Sequence, residues 1–440
     1  MSWSNVTRAS FGELIDRGVL DVTDGYRAKN SELGGTGLIF LRAGHVTDSH
    51  IDFVGAERFH DELTPRLKEK VSEADDVAVT TKGNSTGRTA YVKPNMPPFV
   101  YSPHLSRWRS LDRDQLEPGF LRYWSSGREF AVQLRGMSAS TDMAPYLSLR
   151  DQRRLKITLP HIEEQRAIAC VLGALDDKIE QNRHTARALE RLARASFRAW
   201  FVDFDPVKAK AAGATAFPSM PQPVFDALPS RFVDSAIGAV PEGWEVKALA
   251  DIATFLNGLA LQKYPPRNDG EDLRVIKIAE LRKGSTDGAD LANGDVPAEY
   301  VIDDGDLLFS WSGTLEAEFW FGGKGALNQH LFKVTSPHFP NWFCLQWVRQ
   351  HLAWFRAIAA SKATTMGHIR RGHLQEAKVV VPPPAVIREA DQVIGPLQDM
   401  NAQLMVESRK LATTRDYLLP KLLSGEVRVR DAEQMVGVPA

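Results

Sequence analysis

Two segments of the sequence have residue types that could bind a cofactor and a nucleobase. Phe321–Gly325 fits the pattern FxGxG, whose glycines let a cofactor approach the backbone at the end of a strand. Asn95–Phe99 is similar to an NPPF loop, which holds the amino group of a flipped base, but Met96 interrupts it. Polar and strand-like residues follow the glycine turn where a helix is required, and the two segments lie in different halves of the chain. We therefore predict that the chain binds no cofactor.

Neither the clustered carboxylates nor the cysteines predict a catalytic or metal site. Asp203 and Asp205 are two residues apart, but no third ligand or histidine accompanies them, and a turn or cap role after a helix explains them. The carboxylates around Gly305 indicate a solvated turn before a strand. Cys170 and Cys344 belong to no CxxC motif and to no histidine pair with zinc spacing. We predict no bound metal.

Two polar turns are the strongest candidates for contacts to DNA. Each combines small residues, which allow close approach of the backbone, with donors that suit phosphates and base edges. A Ser/Thr-rich cluster further along each half offers similar donors. The candidates in the first half are Lys82, Asn84, Ser85, Thr86, Arg88, Ser138, Ser140 and Thr141. Those in the second half are Trp311, Ser312, Thr314, Lys362, Thr364, Thr365 and His368. A solvated surface charge or a structural Ser/Thr turn is the alternative for these residues.

The charge of the chain is balanced overall but unevenly distributed. Its 440 residues include 54 Lys and Arg and 55 Asp and Glu, so the net charge of −1 does not by itself indicate a nucleic-acid partner. Residues 82–128 contain eight basic and three acidic residues, and residues 342–378 contain six and one. Residues 286–306 contain seven acidic and no basic residues. The charge is therefore segregated, and the basic part recurs in each half.

The composition is that of an ordinary globular protein. Hydrophobic residues make up 43% and charged residues 25%, and the length suggests about three folding units, or two with a large insert. No apolar run approaches the ~18 residues that span a bilayer, and Met1–Ser10 lacks the apolar core of a signal peptide. We expect a cytoplasmic protein with no membrane contact. The tryptophans that we expect in the core are Trp108, Trp124, Trp342, Trp347 and Trp354.

A long internal repeat organises the chain. Leu159–Arg166 and Val381–Arg388 each open a helical pattern, and corresponding residues of the two segments lie 222 positions apart, as Pro160 and Pro382 do. Upstream of each helix, a strand pattern ends in a polar turn that contains glycine. Each half is therefore predicted to be a β-rich module followed by a long helix.

The first helical pattern contains a heptad seam. Its seam positions from Ile168 to Trp200 are spaced alternately by four and three, which favours a long partner helix over a single helix lying on a globular core. The second seam, from Val393 to Leu418, is poorer, with weak places at Glu407 and Thr414. Asn182 interrupts the first seam. It is either a buried residue that fixes the helix register or an exposed residue at a frayed seam.

Two such helices, packed antiparallel, would place one module at each end with pseudo-twofold symmetry. The proline-rich segment between the halves resists regular structure and is typical of a linker. We predict an α+β protein with mixed helices and strands, in which two pseudo-symmetric β-rich domains are separated by two long antiparallel helices that form a coiled-coil-like spacer. The predicted segments are residues 1–158 and 243–381 for the domains, 159–202 and 382–426 for the helical spacers, 203–242 for the linker and 427–440 for a C-terminal tail.

The residues at the two ends of the first helix resemble a known family. Leu159–Arg166 and Ala199–Val207, within a duplicated arrangement, closely resemble the specificity subunit of type I restriction-modification enzymes, and the similarity spans nearly the full chain. The second helix departs from the pattern, because its opening lacks the Glu-Glu-Gln run. The resemblance implies two target recognition domains, each of which reads one half of a bipartite double-stranded DNA target. It also implies two helical regions that set the gap and dock methyltransferase subunits.

The resemblance further implies a non-catalytic protein with two methyltransferase subunits as partners, and it leaves open whether an endonuclease subunit joins them. The outer faces of the helices are the expected docking surface, with the arginines Arg166, Arg183, Arg187, Arg194 and Arg198. A stand-alone DNA methyltransferase or nuclease is one alternative, but the sequence offers it neither a convincing cofactor loop nor an acidic metal site. A repeat-type protein adaptor is another, but it would give the duplicated basic turns no purpose.

Overall fold

The chain folds into two compact units, each with its own mixture of helices and strands. The computed structural model describes residues 6–47, 50–138, 146–361 and 367–436. Unit 1 comprises the described residues of Met1–Lys178 and Leu411–Ala440, and unit 2 comprises those of Ile179–Lys410. The predicted α+β fold class is confirmed, with long helices beside β-rich regions.

The N-terminal part of unit 1 alternates short strands and short helices before one long helix. In chain order these elements are β1 (Thr7–Ser10), α1 (Phe11–Asp16), β2 (Leu20–Asp24), β3 (Ile39–Leu41), α2 (Thr64–Leu67), β4 (Val77–Thr80), β5 (Thr89–Tyr91), β6 (Phe99–Tyr101), β7 (Leu105–Ser110), α3 (Pro118–Trp124), α4 (Arg128–Ser138), α5 (Leu149–Arg154) and β8 (Lys156–Leu159). The long helix α6 (Ile162–Phe197) follows, and a π-helical turn, Arg198–Val202, continues it.

The core of unit 1 lies against an antiparallel sheet with the strand order β2-β7-β4-β5. Strand β4 has the sequence Val-Ala-Val-Thr and is buried along its whole length, as its β-branched residues favour. Phe11 packs edge-on against Trp108 with ring centroids 5.0 Å apart, and Trp124 and Phe130 complete the aromatic cluster. Strand β1 pairs antiparallel with β8, and β3 pairs in parallel with β6.

Unit 2 contains a second series of strands and helices, which follows α6 and its π-helical turn. In chain order they are α7 (Asp205–Ala211), α8 (Gln222–Asp226), β9 (Phe232–Ser235), β10 (Gly238–Pro241), β11 (Glu245–Ala248), α9 (Leu249–Ile252), β12 (Thr254–Asn257), β13 (Leu273–Ile276), α10 (Ile278–Lys283), β14 (Leu291–Ala292), β15 (Val301–Ile302), β16 (Leu307–Ser310), β17 (Ala317–Phe319), β18 (Gly325–Leu327), β19 (Leu331–Thr335), α11 (Asn341–Ser361), α12 (Arg371–Glu376), β20 (Lys378–Val381) and α13 (Pro384–Ser424). Helix α14 (Val429–Val436) follows in unit 1.

The strand topology of unit 2 repeats that of unit 1. Its antiparallel sheet has the order β12-β19-β16-β17, which corresponds to β2-β7-β4-β5. Strands β11 and β20 pair antiparallel as β1 and β8 do, and β13 pairs in parallel with β18 as β3 does with β6. The starts of α6 and α13, Ile162 and Pro384, are 222 positions apart. The internal repeat found in the sequence is thus a repeat of topology.

Helices α6 and α13 run antiparallel where they pair within unit 2. Asn182 donates to Glu407 at 2.8 Å, and Asn401 donates to the carbonyl of Ala186 at 2.8 Å, so ascending numbers on α6 meet descending numbers on α13. The first seam is buried at most of its positions, including Ile168, Leu172, Leu175, Ile179, Asn182, Ala186 and Ala193. The second seam is confirmed only in part, because Met400 is 48% exposed.

The proline-rich segment at residues 203–242 contradicts the expectation of irregular structure. It forms α7, α8 and the antiparallel hairpin of β9 and β10. Met220, Val224 and Phe225 are buried in the core of unit 2, and Lys210 donates to three carbonyls at the end of α8. The prolines help to begin helices, because Pro206 and Pro223 lie in the first turns of α7 and α8, where a missing N–H costs nothing. The apolar residues between the prolines then anchor the segment.

Residues after α13 also pack into a core. Val429 and Ala432 of α14 are buried in the same cluster as Leu418 and Leu422 of α13. That cluster includes Phe11 and Trp108 from the beginning of the chain. The predicted C-terminal tail therefore contributes to the core of unit 1.

Candidate nucleic-acid interface

The first candidate turn, Lys82–Arg88, joins β4 to β5 and is held by a buried threonine. The hydroxyl of Thr80 accepts from the backbone N–H of Arg88 at 3.0 Å and donates to the carbonyl of Ser85. Gly83 and Gly87 have φ values of 87° and 86°, a region that favours glycine. The polar side chains of this turn are thus carried on a backbone whose shape its own hydrogen bonds define.

The side chains of this turn differ in how much they expose. Lys82 and Asn84 are exposed, and Ser85 and Thr86 are half-buried. Arg88 is half-buried, and its guanidinium donates to the carbonyl of Val46 at 3.1 Å. Lys82 and Asn84 are therefore the two candidates of this turn that solvent reaches most freely.

The chain that follows the first Ser/Thr-rich cluster returns to this turn. Tyr146 forms an antiparallel bridge with Lys82, and the N–H of Leu147 donates to the carbonyl of Thr81 at 2.8 Å. Tyr146 is 60% exposed beside Lys82, a position that sequence reasoning missed. Ser140 and Thr141 lie outside the described residues, and Ser138 is described only as the last residue of α4.

The second candidate turn has the same construction but is two residues shorter. It joins β16 to β17, and the hydroxyl of Ser310 donates to the carbonyl of Thr314 at 2.6 Å and accepts from the N–H of Glu316 at 2.8 Å. Glu316 therefore takes the position that Arg88 has in unit 1. Thr314 is exposed, whereas Ser312 is buried.

The return segment of unit 2 also lies against its turn. Ser312 bridges His368, the N–H of Ile369 donates to the carbonyl of Trp311 at 2.9 Å, and that of Gly313 donates to Gly367 at 2.9 Å. Tyr146 and His368, the two bridging residues, are 222 positions apart. Lys362, Thr364 and Thr365 lie outside the described residues. In each unit the structure thus brings the turn and the return segment into contact.

The side chains at the second turn form a connected polar cluster. The indole N–H of Trp311 donates to Asn257 Oδ1 at 2.9 Å and to the carbonyl of Gln329 at 3.0 Å. The Ser312 hydroxyl lies 3.0 Å from His330 Nδ1. The Trp311 ring also packs against the rings of His330 and His368, with centroids 5.9 and 6.1 Å away. Trp311 is therefore a half-buried support for this cluster.

Asn257, Gln329 and His330 are candidate functional residues that sequence reasoning missed. Amide side chains can bond two adjacent atoms of an adenine edge in the major groove. His104 takes the position of His330 in unit 1, because the backbone of Thr81 bonds to it as Trp311 bonds to His330. The polar run Asn328–His330 was a visible signal, but sequence reasoning used it only as evidence against a cofactor loop.

A pair of glycines gives both units the same close backbone approach beside the turns. A Cβ atom at Gly25 would lie 2.0 Å from the carbonyl oxygen of Ser102, and one at Gly258 would lie 2.2 Å from that of Asn328. The N–H of each glycine donates at 3.0 Å to the strand that neighbours the turn, at Leu105 and Leu331. These contacts hold the ends of β2 and β12 against β7 and β19, the strands that pair with β4 and β16 beside the polar turns.

Much of the basic excess that the sequence shows is used inside the units. Arg107 pairs with Asp21, and Arg109 binds both oxygens of Asp76 at 2.6 and 2.8 Å. Burial lowers the pKa of Arg109, but its hydrogen bonds to Asp76 and the charge of that carboxylate outweigh this and raise the pKa. In unit 2, Arg349 pairs with Glu190 and Glu318, and Arg356 donates to the carbonyl of Leu315.

Packing explains the segments that resemble a cofactor or metal site. A Cβ atom at Gly322 would lie 2.2 Å from the Trp320 ring, and one at Gly325 would lie 2.6 Å from Ile276, so neighbouring side chains require these glycines. Asp203 is the C-cap residue of the π-helical turn, as one of the expected roles requires, and pairs with Arg198 at 3.0 Å, whereas Asp205 is the first residue of α7. Among the described residues, the structure shows no cluster of His, Cys, Asp and Glu that could hold a metal ion.

Four of the five tryptophans expected in the core are buried. Trp108, Trp124, Trp342 and Trp347 are each at most 4% exposed. The expectation is wrong for Trp354, which is 39% exposed on α11 and packs beside His373. Within the described ranges, every helix is too short or too polar to cross a membrane.

Comparisons with known proteins agree with this repeated arrangement. The chain is 22% identical to the HindI specificity subunit of Haemophilus influenzae, over 89% of this chain and 94% of that protein. It is 23% identical to the MjaIX specificity subunit of Methanocaldococcus jannaschii, over 73% of this chain and 72% of that one. The solved S subunit of a type I restriction-modification system from M. genitalium has a similar fold, with a TM-score of 0.54 and 13% identity over 95% of this chain and 96% of that chain.

The match to a protein family covers both halves of the chain. The model of the type I restriction modification DNA specificity domain matches residues 29–191 and again residues 241–397. The two matches contain the two polar turns and both helix openings, and they follow the repeat seen in the strand topology. The chain therefore belongs to the family of type I restriction-modification DNA specificity proteins.

Proposed function

We propose that this chain is the subunit that gives a type I restriction-modification complex its DNA sequence specificity. Membership of the family supports this function, and the comparisons offer nothing in favour of a stand-alone methyltransferase, a nuclease or a repeat-type adaptor. The observation that carries the proposal is the duplicated pairing of a polar turn with a return segment, at Lys82 with Tyr146 and at Ser312 with His368. A protein with two such surfaces can read two DNA segments.

Each unit contributes one reading surface for double-stranded DNA. The candidate residues are those of the two turns and their clusters: Lys82, Asn84, Ser85, Thr86, Arg88, Ser138, Ser140, Thr141, Trp311, Ser312, Thr314, Lys362, Thr364, Thr365 and His368. Contacts to phosphates fix the position of a protein on the duplex, and contacts to base edges read the sequence. Lys82 and Arg88 suit phosphates or guanine edges, whereas Asn257 and Gln329 suit adenine. The two half-sites therefore differ in sequence.

The chain itself performs no chemistry on DNA in this proposal. Catalysis belongs to two methyltransferase subunits that bind the helical regions at residues 159–202 and 382–426, and an endonuclease subunit is a further partner where one is present. The helices set the unread gap between the half-sites. The glycine turn that could suggest a cofactor is occupied by Trp320 and by Asp304, which accepts from the N–H of Gly323 at 2.9 Å.

An exchange of domains tests the proposal. The full chain is combined with methyltransferase subunits, and the methylated bases of random-sequence duplexes are mapped. The expected target is bipartite. Replacing residues 1–158 by the corresponding domain of a relative should change one half-site and leave the gap and the other half-site unchanged. A continuous target, or a change in both half-sites, would overturn the proposal, and stoichiometric binding of S-adenosylmethionine to the chain alone would contradict its non-catalytic part.

A further inference from the structure

The part of α6 that lies in unit 2 has an exposed surface with two chemically different edges. One edge contains Arg187, Arg191 and Arg194, all exposed, and none of them forms an ion pair within the described part of the chain. The other edge contains Ala188, Leu192 and Ala195, which are also exposed, and Leu192 is 51% exposed. At 3.6 residues per turn, these two sets occupy adjacent arcs of the helix. We call them the arginine edge and the apolar edge.

The arginine edge lacks a neutralising partner in the folded unit, because Glu190, three residues from Arg187 and four from Arg194, pairs with Arg349 instead. Arg187 and Arg191 are four residues apart and Arg191 and Arg194 are three apart, spacings at which like charges destabilise a helix. Two arginines near the ends of α6 are already compensated, because Arg166 pairs with Asp114 and Glu163, and Arg198, in the turn after α6, pairs with Asp203. The arginine edge is therefore the part of the helix that an external anionic group would stabilise.

The corresponding positions of α13 do not repeat this surface. Arg187, Arg191 and Arg194 correspond, 222 positions on, to Arg409, Thr413 and Asp416. Asp304 binds Arg409 through both oxygens, at 2.5 and 3.1 Å, and Asp416 pairs with Arg415 at 2.7 Å. The repeat of topology thus carries a difference in charge, since only the α6 copy presents three uncompensated arginines.

We propose that the arginine edge and the apolar edge of α6 bind an acidic amphipathic segment of one methyltransferase subunit, so that the two copies of that subunit bind this chain unequally. This inference rests on the proposed function. The apolar edge indicates a protein occupant, because burying Leu192 beside the arginines stabilises contact with a protein surface, whereas a DNA backbone offers the arginines phosphates but offers Leu192 no apolar partner. The copy that binds α6 associates in a salt-dependent manner, and binding of the other copy depends less on salt.

Titration of the full chain with the methyltransferase subunit, followed by native mass spectrometry at several salt concentrations, tests the inference. The first copy should bind at least tenfold more tightly than the second at low salt, and the difference should shrink as salt increases. The combined variant R187S/R191S/R194S should weaken the tighter site at least tenfold. The variant R187K/R191K/R194K retains the charge and should keep most of that affinity, which separates an electrostatic contact from a loss of folding.

A matched variant on the other helix serves as the control. The combined change T413S/D416N lies at corresponding positions of α13 and should leave the tighter site unchanged. Two copies that bind with equal affinity and equal salt dependence would overturn this inference and leave the proposed function intact, whereas a chain that binds no methyltransferase subunit would overturn both. If the serine variant binds the subunit normally but the complex loses affinity for DNA, the arginine edge contacts DNA and the inference is wrong.

Discussion

Asn182 of α6 donates a hydrogen bond of 2.8 Å to Glu407 of α13. Each of these residues breaks the apolar pattern of its own helix, and the structure shows that the two exceptions meet. Asn182 is only 2% exposed. Of the two alternatives that the sequence left open for this residue, buried or exposed, the structure therefore shows the buried one. Glu407 is exposed and keeps contact with solvent. A pairing of this kind favours one register of two helices over registers that would bury the amide without a partner.

Variants of this pair should have unequal effects on stability. Glu407→Leu removes an acceptor from a buried amide and should lower the free energy of unfolding by about 1–3 kcal/mol. Asn182→Leu should cost less, because Glu407 is exposed and water can replace the lost contact. The double variant should regain most of the loss, since no buried donor remains. Urea unfolding of the four proteins measures these differences, and a larger loss for Asn182→Leu than for Glu407→Leu would contradict the argument.

Asp176 joins three elements of unit 1 and should be sensitive to loss of its charge. Its carboxylate pairs with Arg122 of α3, accepts from the Tyr123 hydroxyl at 2.9 Å and binds Arg415 of α13 at 2.8 Å. Asp176→Asn should therefore destabilise unit 1 by about 2 kcal/mol, within the range for hydrogen bonds to charged groups. The exposed neighbour offers a control, because Asp177→Asn should change stability by less than about 0.5 kcal/mol. An equal decrease of the unfolding temperature in the two variants would refute this role of Asp176.

The close-approach glycines should not tolerate a methyl group. Gly25→Ala and Gly258→Ala would each place Cβ about 2 Å from a carbonyl oxygen, so the backbone must move, at a cost of about 3 kcal/mol or more. Gly173 on α6 has open space around its Cβ position. Gly173→Ala should therefore stabilise unit 1 by up to about 1 kcal/mol, because alanine is the better helix former. Denaturation curves of the three variants measure their free energies of unfolding. If Gly25→Ala left this free energy unchanged, the end of β2 would not be held so tightly.

The exposed lysine of the first turn should contribute to the salt dependence of DNA binding. If Lys82 contacts a phosphate, Lys82→Ala should reduce the slope of log affinity against log salt by about 1 and should weaken binding to all sequences similarly. Arg17→Ala is a charge-matched control, because Arg17 lies just before β2, whose first residue pairs with Ser110 at the end of β7 away from the turn. Fluorescence anisotropy of the assembled complex measures both slopes. Equal slopes for wild type and Lys82→Ala would remove Lys82 from the interface.

Unit 2 should lose stability in mild acid through His351. Burial lowers the pKa of His351 below its ordinary value of 6.5, although the carbonyl of Lys378, 2.9 Å from Nε2, opposes this. Below pH 6.5 the unfolded chain takes up a proton that the folded chain refuses, so stability falls until the pH passes the lowered pKa of the folded state. His351→Gln should flatten this part of the pH profile in chemical unfolding experiments. If His351→Gln had the same pH dependence of stability as the wild type, groups other than His351 would be responsible for the acid sensitivity.

Sequence reasoning predicted the elements that heptad spacing and the internal repeat encode. The predicted spacer at residues 159–202 contains the whole of α6, and the 222-residue repeat anticipated the equivalence of the two sheets. Expectations based on local composition were less reliable. In residues 203–242 the prolines suggested irregular structure, but the decisive residues were Met220, Val224 and Phe225, whose packing partners lie elsewhere in unit 2. A count of residue types along the chain does not identify such partners.

The candidate DNA-contact turns show the same difference between features that local patterns predict and features that depend on long-range contacts. Local pattern placed both polar turns at strand ends, where the structure has them. Charge counting overstated their basic character, because Arg107, Arg109 and Arg122 bind carboxylates that lie 33 to 86 residues away in sequence. The burial of Ser312 and the exposure of Tyr146 also depend on the return segments, which reach the turns only in the folded chain.

The presence of α14 and the end of α13 in the core of unit 1 determines the order in which the protein can fold during its synthesis. The ribosome makes Phe11 and Trp108 early, but Leu418 and Ala432 of the same cluster only after the whole of unit 2. Leu418 comes 310 residues after Trp108, so at about 5–20 residues per second this delay is roughly 15 to 60 s. Unit 2 can therefore complete its core before unit 1. Phe11 and Trp108 of unit 1 lack part of their apolar packing until the end of α13 and α14 have been synthesised.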